Sequence, residues 1–352
     1  MQAVILVGGK GTRLRPLTTN RPKPNVPIVD RPFLAYALEW VASHGLTDVV
    51  LCCGFKSEAM VEAFGDGSRY GVSITWVFEP EPRGTAGGLK MAEEHLGDRF
   101  LLLNGDVLTD MDLTAQIDAH TRSGATATLA LVPVEDPSAY GLVRLNGDDT
   151  VAGFLEKPKP EEIDTDLISA GAYVLERSVL DMIPAGREVS IEREVWPRLV
   201  GEGLHGFVHP DAYWMDIGTP ERYIQAVSDV LSGAVETKVL ERLRNGPVSP
   251  SALVDPAASV APDALVEDGA QVAAGAMIGS GSVVGAGAVV GANVVLERTV
   301  LLPGTIVESG ARLRNFVAGE RARIKANAAV DGPLLVADDD TFAAADGQLV
   351  AR

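Results

Sequence analysis

The residues of this chain best suited to bind an anion lie within its first 24. An apolar run, residues 3–7, stops at Gly8 and Gly9; Gly11, Thr12 and Arg13 follow, and Lys23 stands between Pro22 and Pro24. Glycines let a backbone approach a ligand closely and present its amide N–H groups to anionic oxygens. Arg13 adds a planar, permanently charged fork that suits phosphate, and Lys23 adds a point charge on a segment stiffened by proline. Two familiar glycine loops do not fit. A P-loop requires GxxxxGK[ST], which is missing, and the dinucleotide fingerprint GxGxxG finds Gly9 and Gly11 but Leu14 in third place. The chemistry implied is the binding of a small polyphosphate.

That positive charge is local. The 352 residues carry a formal net charge of -18, which argues against a general nucleic-acid or membrane-surface binder, since both surfaces are anionic. No apolar run approaches the ~18 residues of a membrane span. The amino terminus has no basic region followed by a cleavage site, so a cytoplasmic protein without a targeting segment is expected. Cys52 and Cys53 are adjacent, point to opposite faces of a strand, and are expected to be buried in a reducing compartment. No zinc spacing is present.

The elements that must position these residues alternate up to about residue 230. Strand patterns at 3–7, 48–53, 74–78, 100–103 and 127–133 are separated by helical patterns at 33–44, 59–64, 86–95 and 113–123. Alternation of this kind predicts an α/β domain with a Rossmann-like, mostly parallel sheet. Such sheets place ligands at the carboxyl ends of their strands, where both the glycine stretch and the tetrapeptide 104–107, NGDV, fall. A helical connector is expected between 220 and 246, with helical patterns at 221–231 and 236–243.

Beyond residue 250 the texture changes. Aliphatic residues recur at every sixth position through Val254, Val260, Val266, Val272, Ile278, Val284, Val290, Leu296 and Leu302. Small residues follow four later at most steps, from Ala258 to Ala288. A six-residue period fits neither a helix nor a simple strand; it predicts a parallel β-helix with the aliphatic side chain inward. The phase slips after Leu302 and resumes at Ile306, Ala318, Ile324 and Val330, where a bulge or loop is expected. The expected domains are therefore an α/β domain at 1–230, a connector at 231–250 and the β-helix at 251–352.

The stretch GGKGTRLRPLTTNRPKP resembles the signature of the sugar-nucleotide pyrophosphorylases, the nucleoside-diphosphate-sugar nucleotidyltransferases. Further segments agree in order: GTAGGL at 84–89, LLNGDV at 102–107, YGLV at 140–143, FLEKP at 154–158, SAGAYV at 169–174, SIEREVWP at 190–197 and WMDIGTP at 214–220. The resemblance covers about the first 230 residues, and the hexapeptide tail occurs in many members, where the β-helix is left-handed. It implies the reaction of an NTP with a sugar 1-phosphate to give an NDP-sugar and pyrophosphate. It also implies Mg²⁺ held by Asp106 and Asp216. Arg13 and Lys23 are then assigned to the phosphates, Arg13 nearest the leaving pyrophosphate. Leu6, Gly8, Gly9, Gly11, Thr12, Gly84, Thr85, Ala86, Gly87 and Gly105 would frame the nucleotide. Gly141, Glu156, Lys157, Ser169 and Gly171 would bind the sugar phosphate, Lys157 at the phosphate and Glu156 at sugar hydroxyls. The chain departs from the pattern at Ser169, where many relatives carry Asn, and at Asn25, where relatives often carry an aliphatic residue.

The GTAGGL segment looks most like that of mannose-1-phosphate guanylyltransferases. GTP and mannose 1-phosphate are thus the leading pair; thymidylyl, adenylyl and uridylyl transfer, and glucose or a heptose, stay open. Two readings from other classes stand beside this one. A non-catalytic, sugar-nucleotide-sensing regulator would be expected to lose the charges that this chain keeps. An acyltransferase β-helix commonly uses a histidine base, yet all five histidines precede residue 210. A tail that assembles a homo-oligomer is expected instead. Trp196 is expected in the core and Trp214 beneath the site.

Overall fold

The computed structural model describes residues 1–343, so residues 344–352 of the expected 251–352 domain lie outside the described residues. Chain contacts divide it into two units: Met1–Gly9 with Leu34–Trp214, and Lys10–Phe33 with the chain from Met215 onward.

The first unit is built on one nine-stranded sheet. Its parallel half follows the predicted alternation: β1 (Gln2–Leu6) lies between β2 (Asp48–Cys53) and β4 (Arg99–Asn104), with β3 (Ser73–Phe78) beyond β2. A short strand, β5 (Val107–Thr109), follows β4. The other half of the sheet is largely antiparallel. It is formed by β6 (Ala127–Pro133), β7 (Gly141–Leu145), β8 (Val151–Glu156), β9 (Leu167–Glu176) and β10 (Leu204–Val208). β9 runs against both β4 and β6, and β7 with β8 makes a hairpin at the edge. β10 pairs parallel to β6. The sheet is therefore mixed.

Local chemistry sets the helix ends. The helix Leu113–Ser123 starts where Asp112 accepts the Ala115 N–H at 3.0 Å, and it stops at Gly124, which takes the left-handed φ of 64°. The helix at 84–91 gives way to a 3₁₀ turn, Glu93–His95, so the predicted single helix over 86–95 is broken. Two apolar layers flank the sheet, one with Ile5, Leu51 and Leu103, the other with Val4, Cys52 and Phe100. Cys52 and Cys53 face opposite layers and are buried, as expected; burial pushes the Cys53 thiol up to about 11 and Cys52 higher. Trp196 is fully buried against Tyr173, their ring centroids 5.0 Å apart.

In the second unit the hexads wind into a parallel β-helix. Stacked inward residues form three ladders: Val254, Val272, Val290, Val307, Ile324 and Phe342; Val260, Ile278, Leu296, Leu313 and Val330; and Val266, Val284, Leu301, Ala318 and Val336. The expected slip is present but sits earlier. After Leu296 the next stacked residue is Leu301, not Leu302, and after that Val307, not Ile306. Among the described residues no loop interrupts the coil, but the expected bulge is present: the pairing of Arg312–Ala318 with Ala329–Val336 shifts register between Arg314 and Phe316. Val295–Leu301 and Arg312–Ala318 turn the corner as continuous strands, with Arg298 and Asn315 at φ 45° and 50°, and each corner uses one residue fewer. A six-residue count runs past the first shortened corner because Leu302, next to the stacked Leu301, is equally aliphatic. Before the coils, the connector forms helices Pro220–Ser232 and Val239–Arg244. The first packs on the long strands, where Arg298 Nη2 donates to Gln225 Oε1 at 2.8 Å. No helix among the described residues is long and apolar enough to cross a membrane.

Candidate active site

In the first unit, the carboxyl ends of β1 and β4 deliver Leu6, Gly8 and Gly9 beside Asn104, Gly105 and Asp106. The Gly105 N–H donates to the Leu6 carbonyl at 3.0 Å. A Cβ on Gly105 would lie 2.6 Å from Val7 Cγ1 and 2.8 Å from that carbonyl, so only glycine lets the two strand exits meet. Around Gly9 there is open space within 4 Å.

Facing these glycines is a carboxylate that the sequence reading passed over. Glu79 follows β3, and its Oε1 would stand 3.4 Å from a Cβ on Gly8 and 2.8 Å from one on Gly88. The Arg83 N–H donates to Oε2 at 3.3 Å. Burial raises the Glu79 carboxyl above the usual range, against the opposing pull of Arg83. The helix Gly84–Met91 is seated by a carbonyl: Ala86 and Gly87 donate their N–H groups to Val189 at 3.0 and 3.3 Å. Those two amides are thus engaged inside the protein. Thr85 donates its hydroxyl to Glu192 Oε2 at 2.9 Å, and Ser190 donates to the same oxygen at 2.7 Å. Glu192 lies in a π-helical turn, Ile191–Val195, a backbone form often found at functional sites.

Three of the predicted sugar-phosphate residues, Gly141, Glu156 and Lys157, lie at the hairpin edge, and Ser169 and Gly171 lie on the interior strand β9. Glu156 ends β8 opposite Gly141, and its Oε2 would be 3.3 Å from a Cβ on Gly141. Lys157 takes a left-handed φ of 54°, unusual for a residue with a side chain, and its N–H donates to the Tyr140 carbonyl at 2.9 Å. Burial and then the charge of Glu192 raise the Glu156 carboxyl, while Lys157 and Arg193 oppose the shift. Ser169 donates to the Tyr173 hydroxyl at 3.2 Å. That buried phenol is pushed well up by burial, then by the charges of Glu192, Glu156 and Asp106, which therefore share one electrostatic neighbourhood. Gly171, with φ of 79°, sits in a bulge of β9 where a Cβ would lie 3.0 Å from Asn104 Nδ2. Trp214 lies edge-on to Tyr140 and donates to the Ala170 carbonyl at 2.8 Å.

The second unit carries Gly11, Thr12, Arg13, Lys23 and Asp216. Gly11 takes the left-handed φ of 58° and its carbonyl accepts the Thr18 hydroxyl at 2.8 Å; a Cβ there would strike Lys23 Cβ at 2.9 Å. Thr12 opens the 3₁₀ turn Thr12–Leu14, and Lys23 opens the turn Lys23–Asn25 with its side chain largely buried. The Arg13 guanidinium packs on Gly218, where a Cβ would lie 2.8 Å from Nη2. Asp216 ends the strand Trp214–Asp216 and accepts from Arg222 Nη1 at 3.0 Å.

Among the described residues no three His, Cys, Asp or Glu side chains gather to hold a metal ion unaided. Asp106 and Asp216 are hard oxygen donors, the type that Mg²⁺ takes singly or in pairs when phosphate oxygens and waters complete its shell. The donor chemistry of the two aspartates fits that ion.

Residues 2–233 match the nucleotidyl transferase family, and residues 248–346 match the GMPPB C-terminal domain. A mannose-1-phosphate guanylyltransferase of Mycobacterium tuberculosis is 43% identical over 265 residues, covering 72% of this chain and 73% of that protein. A UTP–glucose-1-phosphate uridylyltransferase of Synechocystis is 38% identical over 251 residues, covering 67% of this chain and 65% of its own length. A solved structure of HddC from Yersinia pseudotuberculosis complexed with GMP-PN superposes with a TM-score of 0.56 at 28% identity, over 64% of this chain and 97% of that one.

Proposed function

The chain belongs to the nucleotidyl transferase family, and from that premise we propose that it transfers a guanylyl group from GTP to mannose 1-phosphate, releasing pyrophosphate and GDP-mannose. The reading is carried by Glu79. A carboxylate set between Gly8 and Gly88 presents Oε1 as an acceptor, together with the remaining lone pair of Oε2, which also accepts the Arg83 N–H. Guanine offers N1–H and N2–H side by side, which such a pair of acceptors fits. Uracil and thymine offer one N–H between two carbonyl oxygens, and a carboxylate repels those oxygens. Adenine offers its exocyclic N–H beside an acceptor nitrogen. The Mycobacterium relative and the GMP-PN complex of HddC support the same base.

A phosphate oxygen of the sugar attacks the α-phosphorus in line, forming one P–O bond as the bond to pyrophosphate breaks. No side chain needs to act as nucleophile; positioning and charge stabilisation do the work. Arg13 and Lys23 bind the nucleotide phosphates and stabilise the leaving pyrophosphate. Lys157 binds the sugar phosphate, and Glu156 accepts hydrogen bonds from sugar hydroxyls. Asp106 and Asp216 would hold Mg²⁺, which when bound neutralises phosphate oxygens. We place the protein in the cytoplasm and its self-association on the β-helix, where Leu253 and Met277 stand 68% and 54% exposed.

The test is pyrophosphate release over a grid of GTP, dTTP, ATP and UTP against mannose, glucose and heptose 1-phosphates. One dominant GTP–mannose cell is expected, and Glu79→Gln should erode it selectively. A dominant cell with another base would overturn the assignment of guanine to Glu79. Silence in every cell would overturn catalysis and favour a sugar-nucleotide sensor.

A further inference from the structure

The segment that carries Arg13 and Lys23 is fastened to the β-helix. Arg21, two residues before Lys23, donates from Nη1 to Glu320 Oε1 and from Nη2 to Asp338 Oδ2, each at 2.7 Å. Its side chain is 15% exposed and that of Asp338 only 6%. Asp338 is itself fixed, because its Oδ1 accepts the Glu320 N–H at 2.9 Å. One guanidinium fork is thus shared by two carboxylates that lie about 300 residues away along the chain.

Two more fastenings lie on the far side of Lys23. The Tyr223 hydroxyl donates to the Pro27 carbonyl at 2.6 Å. Arg242 Nη1 reaches Asp30 Oδ2 at 3.1 Å and Glu267 Oε1 at 3.2 Å. Between them the Lys23–Asn25 turn closes through Val26 N–H to the Lys23 carbonyl at 3.0 Å. Lys23 therefore sits on a short span clamped at both ends by residues of the connector and the β-helix.

We propose that Arg21 is a positioning residue: through Glu320 and Asp338 the β-helix sets the place of Lys23, and so forms part of the phosphate-binding apparatus. The proposal rests on the reading of Lys23 as a ligand of the GTP phosphates. It gives the β-helix a role in the chemistry of each chain, separate from any role in assembly. A shared buried pair is by itself weak evidence for stability, so the expected signature is kinetic.

The experiment is steady-state pyrophosphate release by the full-length chain, with melting temperature as a check on folding. Arg21→Ala should lower kcat/KM for GTP roughly ten- to a hundredfold, while KM for the sugar 1-phosphate stays within about twofold. Asp338→Asn with Glu320→Gln, changed on the β-helix alone, should give the same split, and combining them with Arg21→Ala should add little. Arg21→Lys should recover part of the loss, since it keeps the charge but not the fork. If the Arg21 variant fails to fold, the β-helix pair carries the test. Folded variants with parental GTP kinetics would overturn the proposal. Lys23→Ala separates the two ideas. If it leaves GTP kinetics unchanged, the phosphate reading falls; if it cripples them while the Arg21 and β-helix variants do not, only the positioning role falls.

Discussion

Thr85 and Glu192, more than a hundred residues apart in the chain, are joined by a hydrogen bond of 2.9 Å from hydroxyl to carboxylate. The same hydroxyl accepts the Ile191 N–H at 2.8 Å. One small side chain thus ties the first turn of the helix Gly84–Met91 to the turn whose carboxylate acts on Glu156. Thr85→Val keeps the shape and removes both bonds. A hydrogen bond to a charged group contributes about 1.5–3 kcal/mol, so a loss of that order is expected in the unfolding free energy, seen as a lower urea midpoint, with KM raised for both substrates. An unchanged midpoint and unchanged KM values would show that the bond couples nothing.

The Glu156 carboxyl gives a pH prediction. Burial and then the Glu192 charge hold its folded pKa above the ordinary 4.5. The folded chain keeps this proton to a higher pH than the unfolded chain does, so at neutral pH the ionised group costs stability. The cost is relieved as pH falls through the raised pKa toward 4.5. Sugar binding runs the other way, because a hydroxyl donates best to the ionised form; affinity for the sugar 1-phosphate should weaken over the same fall. Glu192→Gln removes the repelling charge and should move this acid limb to lower pH. KM for the sugar 1-phosphate against pH, compared between parent and variant, cancels the titration of the substrate itself. A limb that stays put or moves upward would contradict the coupling.

Asp106→Asn and Asp216→Asn should each abolish turnover while leaving the melting temperature nearly unchanged. Amide oxygen replaces carboxylate oxygen at each place, removing a charge that Mg²⁺ needs but little volume. For Asp216 the hydrogen bond from Arg222 can persist to the amide oxygen, which favours a folded variant. Activity titrated against Mg²⁺ is the measurement. A near-parental rate at saturating Mg²⁺ in either variant would remove that aspartate from the metal site.

What the chain disclosed on reading followed from periodicity and from unusual local composition. The strands 48–53 and 127–133 and the helix 113–123 lie where their patterns predicted them. The antiparallel half stayed hidden because β7, β8 and β9 differ little in composition from parallel strands, and direction is fixed by pairing, not by propensity. Gly11 and Lys23 were legible because glycine and positive charge stand out in an acidic chain. Glu79 was not, since a carboxylate after a strand reads as a solvated end; only the fold brings Gly8 and Gly88 to it. Arg21 was invisible for a related reason, because its carboxylate partners are distant in the chain.

The shortened corners of the β-helix lead to a stability prediction. Where the coil drops one residue between Leu296 and Leu301, the next segment passes directly over Gly285. A Cβ on Gly285 would stand 2.5 Å from the Leu301 carbonyl oxygen and 2.9 Å from Leu302 C and Pro303 N. All three are backbone atoms, so no side chain can swing aside; the coil must shift. Gly285 does not have a left-handed φ, so alanine there is conformationally acceptable and any loss comes from packing. Overpacking of this kind costs about 1–3 kcal/mol. Gly287 is the contrasting site: its φ is 65°, but nothing lies within 4 Å of an added Cβ. Gly287→Ala should lose only the backbone preference, about 1 kcal/mol. Thermal melting should rank the Gly285 variant below the Gly287 variant. The reverse order would mean that the coil above Gly285 yields easily, and that Leu301 is not held as the stacked residue in place of Leu302.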